Sequence, residues 1–182
     1  MPQVPHESDR RRRRTREALQ SAFVLLALER RYHEIRIGDI LAASGVGRST
    51  FYEHFAGKDA LLAASMDDAL SLLAGLPTGE AGVGQVADLL AHFWDNRALA
   101  RSLLQGTALR AVRSALVAQI EARLERMGGR LRLHSRLAAH ALADAMLSPV
   151  LAWLRGEAPC SPADLAAALR DSSVAMLASL RA

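Results

Sequence analysis

The sequence predicts an all-α protein, and three features of its 182 residues carry that prediction. Aromatic residues make up only 4% of the chain, whereas alanine and leucine dominate it. β-Branched residues never form the alternating run that marks a strand, and apolar residues recur instead at helical spacing. Glycine, proline and helix-capping residues divide the chain into about nine helical segments.

The N-terminal third of the chain predicts a compact group of helices. A first helix is expected at residues 10–31, where Leu19 and Phe23 share one apolar face. Gly45 separates a second helix from a third, and the glycine-leucine-proline sequence at residues 75–77 ends a fourth. The bounds of the second, third and fourth helices are predicted as residues 37–43, 48–54 and 58–73.

Punctuation residues also divide the C-terminal part. Asn96 and Thr107 are helix N-cap types, and the serine-proline-alanine-aspartate sequence at residues 161–164 places a cap, a first-turn proline and an early acid in order. Pro149 falls inside a predicted helix and is expected to kink or split it. The predicted bounds are residues 86–95, 97–105, 107–127, 133–154 and 162–180.

Charge is unevenly distributed along the chain, whose net charge is +4. Residues 1–58 hold 11 basic and 7 acidic side chains, while residues 59–182 hold 12 of each. Of the 23 basic residues only Lys58 is a lysine. A basic head on a neutral body is the pattern of a phosphate-binding module attached to a domain with another task.

Several classes of protein are not supported by the sequence. Cys160 is the one cysteine, so no disulfide within the chain is expected. No segment reads as a signal peptide or membrane span, and we expect a cytoplasmic protein without a membrane partner. No catalytic set, metal-ligand spacing or phosphate-binding glycine loop is found, which predicts a protein that is not an enzyme and has no metal or cofactor.

Residues 40–62 read as a helix, a tight glycine turn and a second helix, the arrangement that places a recognition helix in the DNA major groove. Ile40, Val46, Phe51 and Phe55 are the predicted apolar contacts that fix the two helices together. At the exposed first turn of the third helix, Arg48, Ser49 and Thr50 are predicted to reach base edges. The Arg48 guanidinium matches the two acceptors of guanine.

A second group is predicted to bind phosphate. Tyr52, His54 and Lys58 can each donate to a phosphate oxygen, and Lys58 begins a helix, where an anion is favoured. As an alternative, Tyr52 and His54 form an ordinary half-exposed aromatic pair. Residues 10–14 are all arginine, and either follow the DNA backbone or enter the minor groove as an arm, or form a solvated helix start.

The sequence Y-x-x-x-x-I-x-D-I-L-A-A-S-G-V-G-R-S-T-F-Y-E-H-F-A-G-K-D-A-L-L, which begins at Tyr32, resembles the N-terminal domain of the tetracycline-repressor-type (TetR) regulators. The resemblance covers about residues 14–62. It implies an all-helical homodimer with a three-helix helix-turn-helix DNA-binding domain, here residues 1–57. It further implies a helical ligand-binding and dimerisation domain, here residues 58–182. In this family the residues that match Thr50, Tyr52, His54 and Lys58 usually contact the operator.

Three positions depart from the family pattern. Arg36 stands where a threonine commonly caps the second helix and contacts phosphate; an arginine can reach phosphate but cannot accept a helix N–H. Gly47 replaces a common serine before the third helix and is a slightly weaker cap. Arg31 replaces a usual glycine after the first helix. Arg36 and Gly47 remain candidates for contact with DNA.

The C-terminal part offers weaker candidates. Apolar residues on the fourth to seventh predicted helices are candidates for the pocket of a small-molecule effector, although each also fits an ordinary core position, and Arg110 would select an anionic ligand if it pointed inward. Small apolar stripes on the last two helices are candidates for a dimer interface, with packing within the chain as the alternative. The pocket candidates are Met66, Leu70, Phe93, Trp94, Leu103, Leu109 and Arg110. The interface candidates are Leu137, Ala141, Ala145, Leu165, Leu169 and Met176.

Together these observations predict a DNA-binding transcriptional regulator, a ligand-responsive repressor that binds a palindromic operator as a dimer. The alternatives are an activator or ligand-independent regulator, and a helical protein-interaction module whose basic head binds an acidic partner.

Overall fold

The computed structural model describes residues 7–182, within which there are ten α-helices and no named strand. The all-α prediction is confirmed. A single turn of 3-10 helix, Tyr32–Glu34, stands between the first two helices, and one isolated bridge pairs Leu131 with Arg181. The helices are α1 Glu7–Glu29, α2 Ile37–Ser44, α3 Arg48–His54, α4 Lys58–Ser65, α5 Asp67–Gly75, α6 Val83–Asp95, α7 Arg97–Leu103, α8 Gly106–Met127, α9 Ser135–Arg155 and α10 Pro162–Leu180.

The chain divides into two compact units, with the division between Ser65 and Met66. The N-terminal unit contains α1 to α4 and the C-terminal unit α5 to α10. Helix α4 belongs to the N-terminal unit, since Leu61 and Leu62 are fully buried. The division therefore lies later in the chain than the predicted boundary after residue 57.

The core of the N-terminal unit is built from one apolar face of each helix. Fully buried side chains come from α1, α2, α3 and α4, namely Leu19, Phe23, Ile40, Phe51, Leu61 and Leu62. Gly45 ends α2 with φ at +68°, a left-handed conformation that glycine adopts without steric cost, and its N–H donates to the Leu41 carbonyl at 3.0 Å. This turn sets the direction in which α3 leaves α2.

The start of α2 resolves the question that Arg36 raised in the sequence. Arg36 is the N-cap residue, and its side chain makes no capping bond. Instead its backbone N–H donates to Asp39 Oδ2 at 2.8 Å. One half of a capping box is therefore present, supplied by the third residue of the helix, and the Arg36 side chain is left exposed.

The prediction of a single helix at residues 58–73 is wrong, because the helix is interrupted at Met66 (φ −107°, ψ 9°). Ser65 Oγ donates to the Leu61 carbonyl at 2.8 Å, a back-bond that slightly destabilises a helix. Asp67 and Asp68 then stand in the first turn of α5, where acidic side chains favour a helix start. The described residues consequently contain ten α-helices, not nine.

The C-terminal unit packs α8 against α9 and α6 against α10 most extensively. Arg123, on α8, has a side chain that is only 12% exposed and joins two other segments. Its guanidinium donates to Ser71 Oγ at 2.8 Å and to Glu80 Oε2 at 3.1 Å. Pro149 does not split α9, which runs unbroken through it.

Helix α9 is long and apolar enough to cross a membrane by length and composition, with a mean hydropathy of 1.4. The helix contains Asp144, so the expectation that no uncharged apolar stretch of this length occurs is not contradicted. Half of its apolar window is buried within the structure. Leu142, Met146 and Val150 face the interior of the C-terminal unit, so α9 is accounted for as a core helix of that unit.

Candidate nucleic-acid interface

Helix α3 has one face fixed in the core and one face free. Phe51 and Phe55 are 0% and 3% exposed, and their rings lie 6.0 Å apart. Ile40 on α2 is fully buried, and Val46 in the turn is half-buried. The three buried residues occupy positions where the sequence predicted apolar contacts for a helix-turn-helix pair.

The free face begins at the first turn of α3. Arg48 and Ser49 are exposed and Thr50 is half-buried. Tyr52 follows one helical turn after Arg48 and is 49% exposed, so the two side chains share a face. Gly47 precedes them as the N-cap residue; it provides no side-chain cap, and there is open space where a Cβ would stand.

Two aromatic candidates lie toward the end of α3. The Tyr52 ring packs edge-on against Phe51 with centroids 5.3 Å apart, and about half of the side chain remains exposed. His54 is half-buried beside Phe55, with ring centroids 6.4 Å apart. The structure thus brings Tyr52 to the face that carries Arg48 and leaves His54 at its margin.

Lys58 is held inside the N-terminal unit. Its ammonium donates to the carbonyl oxygens of Tyr32 and Ile35, each at 2.7 Å, and lies 4.2 Å from the centre of the Tyr32 ring. Burial lowers the pKa of Lys58, although the Asp59 carboxylate acts in the opposite direction. Two of its three N–H groups are used within the unit, and one remains for an external anion.

Tyr32 completes this connection between α4 and the turn that precedes α2. It is 3% exposed, packs edge-on against Phe23, and its hydroxyl donates to the Asp59 carboxylate. Burial, and then the bond to Asp59, raise the pKa of Tyr32. We call Tyr32, Lys58 and Asp59 the α4 latch. Sequence reasoning missed it, although Tyr32 opens the motif that carries the family resemblance.

The pocket candidates are dispersed through the C-terminal unit. Leu70 is fully buried, and Trp94 is 36% exposed and stacks on Trp153 with ring centroids 4.7 Å apart. Arg110 is exposed, so the inward-pointing cation considered from the sequence is not found at this position. The half-buried pocket candidates are Met66, Phe93, Leu103 and Leu109.

A cavity of about 270 Å³ lies between α8 and α9, and Leu109 is the one pocket candidate that lines it. At its edge Arg113 donates to both carboxylate oxygens of Asp144, at 2.5 Å each. This bidentate bond holds the pKa of Asp144 below its ordinary value. The two residues are 31 positions apart, so no local sequence pattern indicates their pairing.

The interface candidates fall into two groups. Leu137 is 57% exposed, and Ala141, Ala145 and Met176 are half-buried. Leu165 and Leu169 are 7% and 2% exposed, because both face the core of their own unit. They are therefore reassigned from the interface to the core of the C-terminal unit. Val174 on α10, 43% exposed, was not among the candidates and offers free apolar surface.

Comparison with known proteins places the helix-turn-helix in a family. Residues 21–65 match the model of the bacterial regulatory proteins, tetR family. Over 55 residues the chain is 53% identical to an uncharacterized HTH-type transcriptional regulator of Bacillus subtilis (strain 168), YxbF. This match covers 30% of the chain and only 14% of that relative.

The chain also resembles a solved structure over most of its length. It is a TetR transcriptional regulator from Streptococcus agalactiae 2603V, with a TM-score of 0.55 and 24% sequence identity. The match covers 91% of this chain and 97% of that one. At this identity the likeness shows a shared fold.

Proposed function

We propose that the chain is a transcriptional regulator of the TetR family, which binds a palindromic operator as a homodimer and represses transcription until a small molecule releases it. The observation that carries the DNA-binding part is the free first turn of α3, which presents Arg48 and Ser49 from a helix whose other face is buried. On this proposal α3 enters the major groove.

Arg48 is assigned the reading of a guanine, since a guanidinium can donate two parallel bonds to its O6 and N7 atoms. Ser49 and Thr50 are assigned shorter contacts to neighbouring base edges. Gly47 supports this assignment because the open space at its Cα lets the backbone approach the DNA closely. A correct bidentate contact discriminates by about 1–3 kcal/mol against the wrong base.

Phosphate contacts are assigned to side chains around α3. The Tyr52 hydroxyl and the His54 ring stand on or beside its free face, and the exposed Arg36 stands at the start of α2. Lys58 is assigned a smaller part, through its one N–H that the carbonyls of Tyr32 and Ile35 leave free. Such contacts set the register of the protein on DNA without reading its sequence.

A homodimer is supported by apolar surface on two helices of the C-terminal unit. Leu137 on α9 and Val174 on α10 are 57% and 43% exposed, and the half-buried Ala141, Ala145 and Met176 lie on the same two helices. A two-fold interface would present two copies of α3 to an operator with two-fold symmetry, with half-sites about 34–36 Å apart.

Release by a small molecule follows from linkage: an effector shifts the protein away from DNA only if it binds the other conformation more tightly, with typical coupling of about 1–3 kcal/mol. The cavity of about 270 Å³ beside Leu109, Arg113 and Asp144 offers one place for it. The partly exposed Met66, Phe93, Trp94 and Leu103 remain further candidates, whereas Leu70 would first need to be uncovered. We place the protein in the cytoplasm, where its DNA target is accessible.

The direct test selects bound duplexes from a random library and measures affinity by fluorescence anisotropy at several salt concentrations. We expect one sequence class to bind at least about 10³-fold more tightly than random duplex. An Arg48→Ala, Tyr52→Ala double variant should lose this preference, while Arg101→Ala, an exposed change on α7, should keep it. Equal binding of every duplex, or binding only to an acidic protein, would contradict the proposal.

A further inference from the structure

The N-terminal part of α1 extends beyond the core of its unit. Leu19 is the first buried residue of the helix, and every residue from 7 to 14 is exposed. At a rise of about 1.5 Å per residue, these eight positions form a projection about 12 Å long. The structure thus contains a short helical arm that packing within the unit does not explain.

This arm is densely and unfavourably charged for an isolated helix. Residues 10–14 and Arg16 are arginines, and five consecutive positions distribute the charge around the whole helix. Like charges at spacings of three and four destabilise a helix, and basic groups near its N-terminus oppose the dipole. One pair, Arg13 with Glu17 at 3.4 Å, offsets part of this repulsion. A polyanion placed beside the arm would offset the rest.

The base of the arm is fixed next to the end of α3. The Arg16 guanidinium lies 4.7 Å from the centre of the Phe55 ring, and Phe55 is the C-cap residue of α3. A few residues further along α1, Gln20 Nε2 donates to the Ala64 carbonyl at 2.7 Å. The arginines therefore occupy a defined place in the same unit as the recognition helix.

We propose that residues 10–14 lie along the phosphate backbone of the DNA that flanks each half-site, and so extend the contact of each protomer beyond α3. This inference rests on the proposed operator binding. Each strand of DNA carries about one charge per 3.4 Å of the axis, so a 12 Å arm that follows one strand spans about three to four phosphates. An α-helix about 10–12 Å wide does not fit a minor groove about 6 Å wide, which excludes the groove as the site of the arm.

The test replaces Arg10, Arg11, Arg12 and Arg14 together with alanine, the best helix former. Arg13 and Arg16 stay in place, so the pair with Glu17 and the contact with Phe55 are kept. The control removes the same charge from exposed arginines of the C-terminal unit, namely Arg101, Arg110, Arg130 and Arg132. Circular dichroism checks that both variants remain helical.

Binding is measured on the selected operator with ten flanking base pairs on each side and on the same operator trimmed at the half-site edges. On the long duplex the salt slope of the arm variant should be smaller by about 0.9 for each lost phosphate contact. Between 50 and 200 mM salt, each lost contact should therefore reduce the salt-dependent fall in affinity by about 3.5-fold relative to wild type. The difference should nearly vanish on the trimmed duplex. Preference for operator over scrambled sequence should be unchanged.

The outcomes separate the arm from the proposed function. If the wild type preferred the operator but its salt slope of binding equalled that of the arm variant, that result would overturn the arm proposal alone. So would an equal loss on long and trimmed duplexes, an equal effect of the control variant, or loss of binding only to anionic vesicles. A wild type without operator preference would overturn both.

Discussion

Replacing Lys58 with methionine tests the α4 latch. Methionine keeps most of the apolar stem and removes the ammonium, so the carbonyls of Tyr32 and Ile35 lose donors at 2.7 Å. Hydrogen bonds to a charged group contribute about 1.5–3 kcal/mol each. Because Lys58 is half-buried and water can replace part of the lost bonding, we expect the unfolding free energy of the N-terminal unit to fall by about 2–4 kcal/mol.

Hydrogen exchange measured by mass spectrometry resolves this loss by position. At 1.4 kcal/mol per factor of ten, globally protected amides of α2 and α3 should exchange about 30- to 700-fold faster in the variant. Peptides from α8 and α9 serve as an internal reference, since they belong to the other compact unit. Their exchange should be unchanged if the two units open independently.

Arg36→Met is the matched control, because it also removes a basic side chain but from an exposed position, where substitutions usually change stability by less than about 0.5 kcal/mol. The proposed role of the α4 latch would be refuted if Lys58→Met left the hydrogen exchange of α2 and α3 unchanged in the absence of DNA. If that variant then reduced the salt slope of operator binding by about 0.9, Lys58 would be a phosphate contact and not a structural one.

The exposure of Leu137 and the hydrogen bonds of Tyr32 and Asp144 support three further predictions. Leu137→Arg, at a 57% exposed position, should leave the fold intact and raise the dimer dissociation constant by at least about tenfold in sedimentation equilibrium; a variant that stayed fully dimeric would remove Leu137 from the interface. Tyr32→Phe should cost about 1.5–3 kcal/mol at neutral pH through the lost bond to the Asp59 carboxylate. The raised pKa of Tyr32 means that the unfolded chain releases this proton first, so wild-type stability should fall as pH rises above about 10, and fall less in the variant. The pKa of Asp144 is lowered by its bond to Arg113, so the stabilisation it gives is present above the ordinary value of 3.8 and is lost as pH falls below it. Asp144→Asn should therefore unfold at a lower temperature than wild type at pH 7, and this difference in unfolding temperature should narrow in acid. A difference that did not depend on pH would refute the coupling.

Helices bounded by strong local signals could be predicted from the sequence. The structure places α10 at Pro162–Leu180 and α3 at Arg48–His54, the predicted bounds of both. In α10 the Ser161 hydroxyl accepts from the Asp164 N–H at 3.1 Å, as the serine-proline-alanine-aspartate sequence indicated. Local capping chemistry is sufficient to fix such ends.

Features that depend on distant or weak contacts could not be predicted. The helix is interrupted at Met66, where a new acidic helix start follows, whereas the apolar periodicity continues through it. Leu165 and Leu169 have the spacing of an interface stripe, but spacing does not distinguish a partner chain from the core. Lys58 appeared to be a free cation because its acceptors, the carbonyls of Tyr32 and Ile35, lie 26 and 23 residues earlier.

The central proposal is that Arg48 on α3 reads a guanine in each half of a symmetric operator. Methylation interference at guanine N7 tests it most directly, because the methyl group blocks one of the two acceptors that a guanidinium needs. In wild type we expect one guanine per half-site to interfere, in symmetric positions about ten base pairs apart. The Arg48→Ala variant should lose interference at those guanines and keep it elsewhere. An unchanged interference pattern in that variant would contradict the proposal.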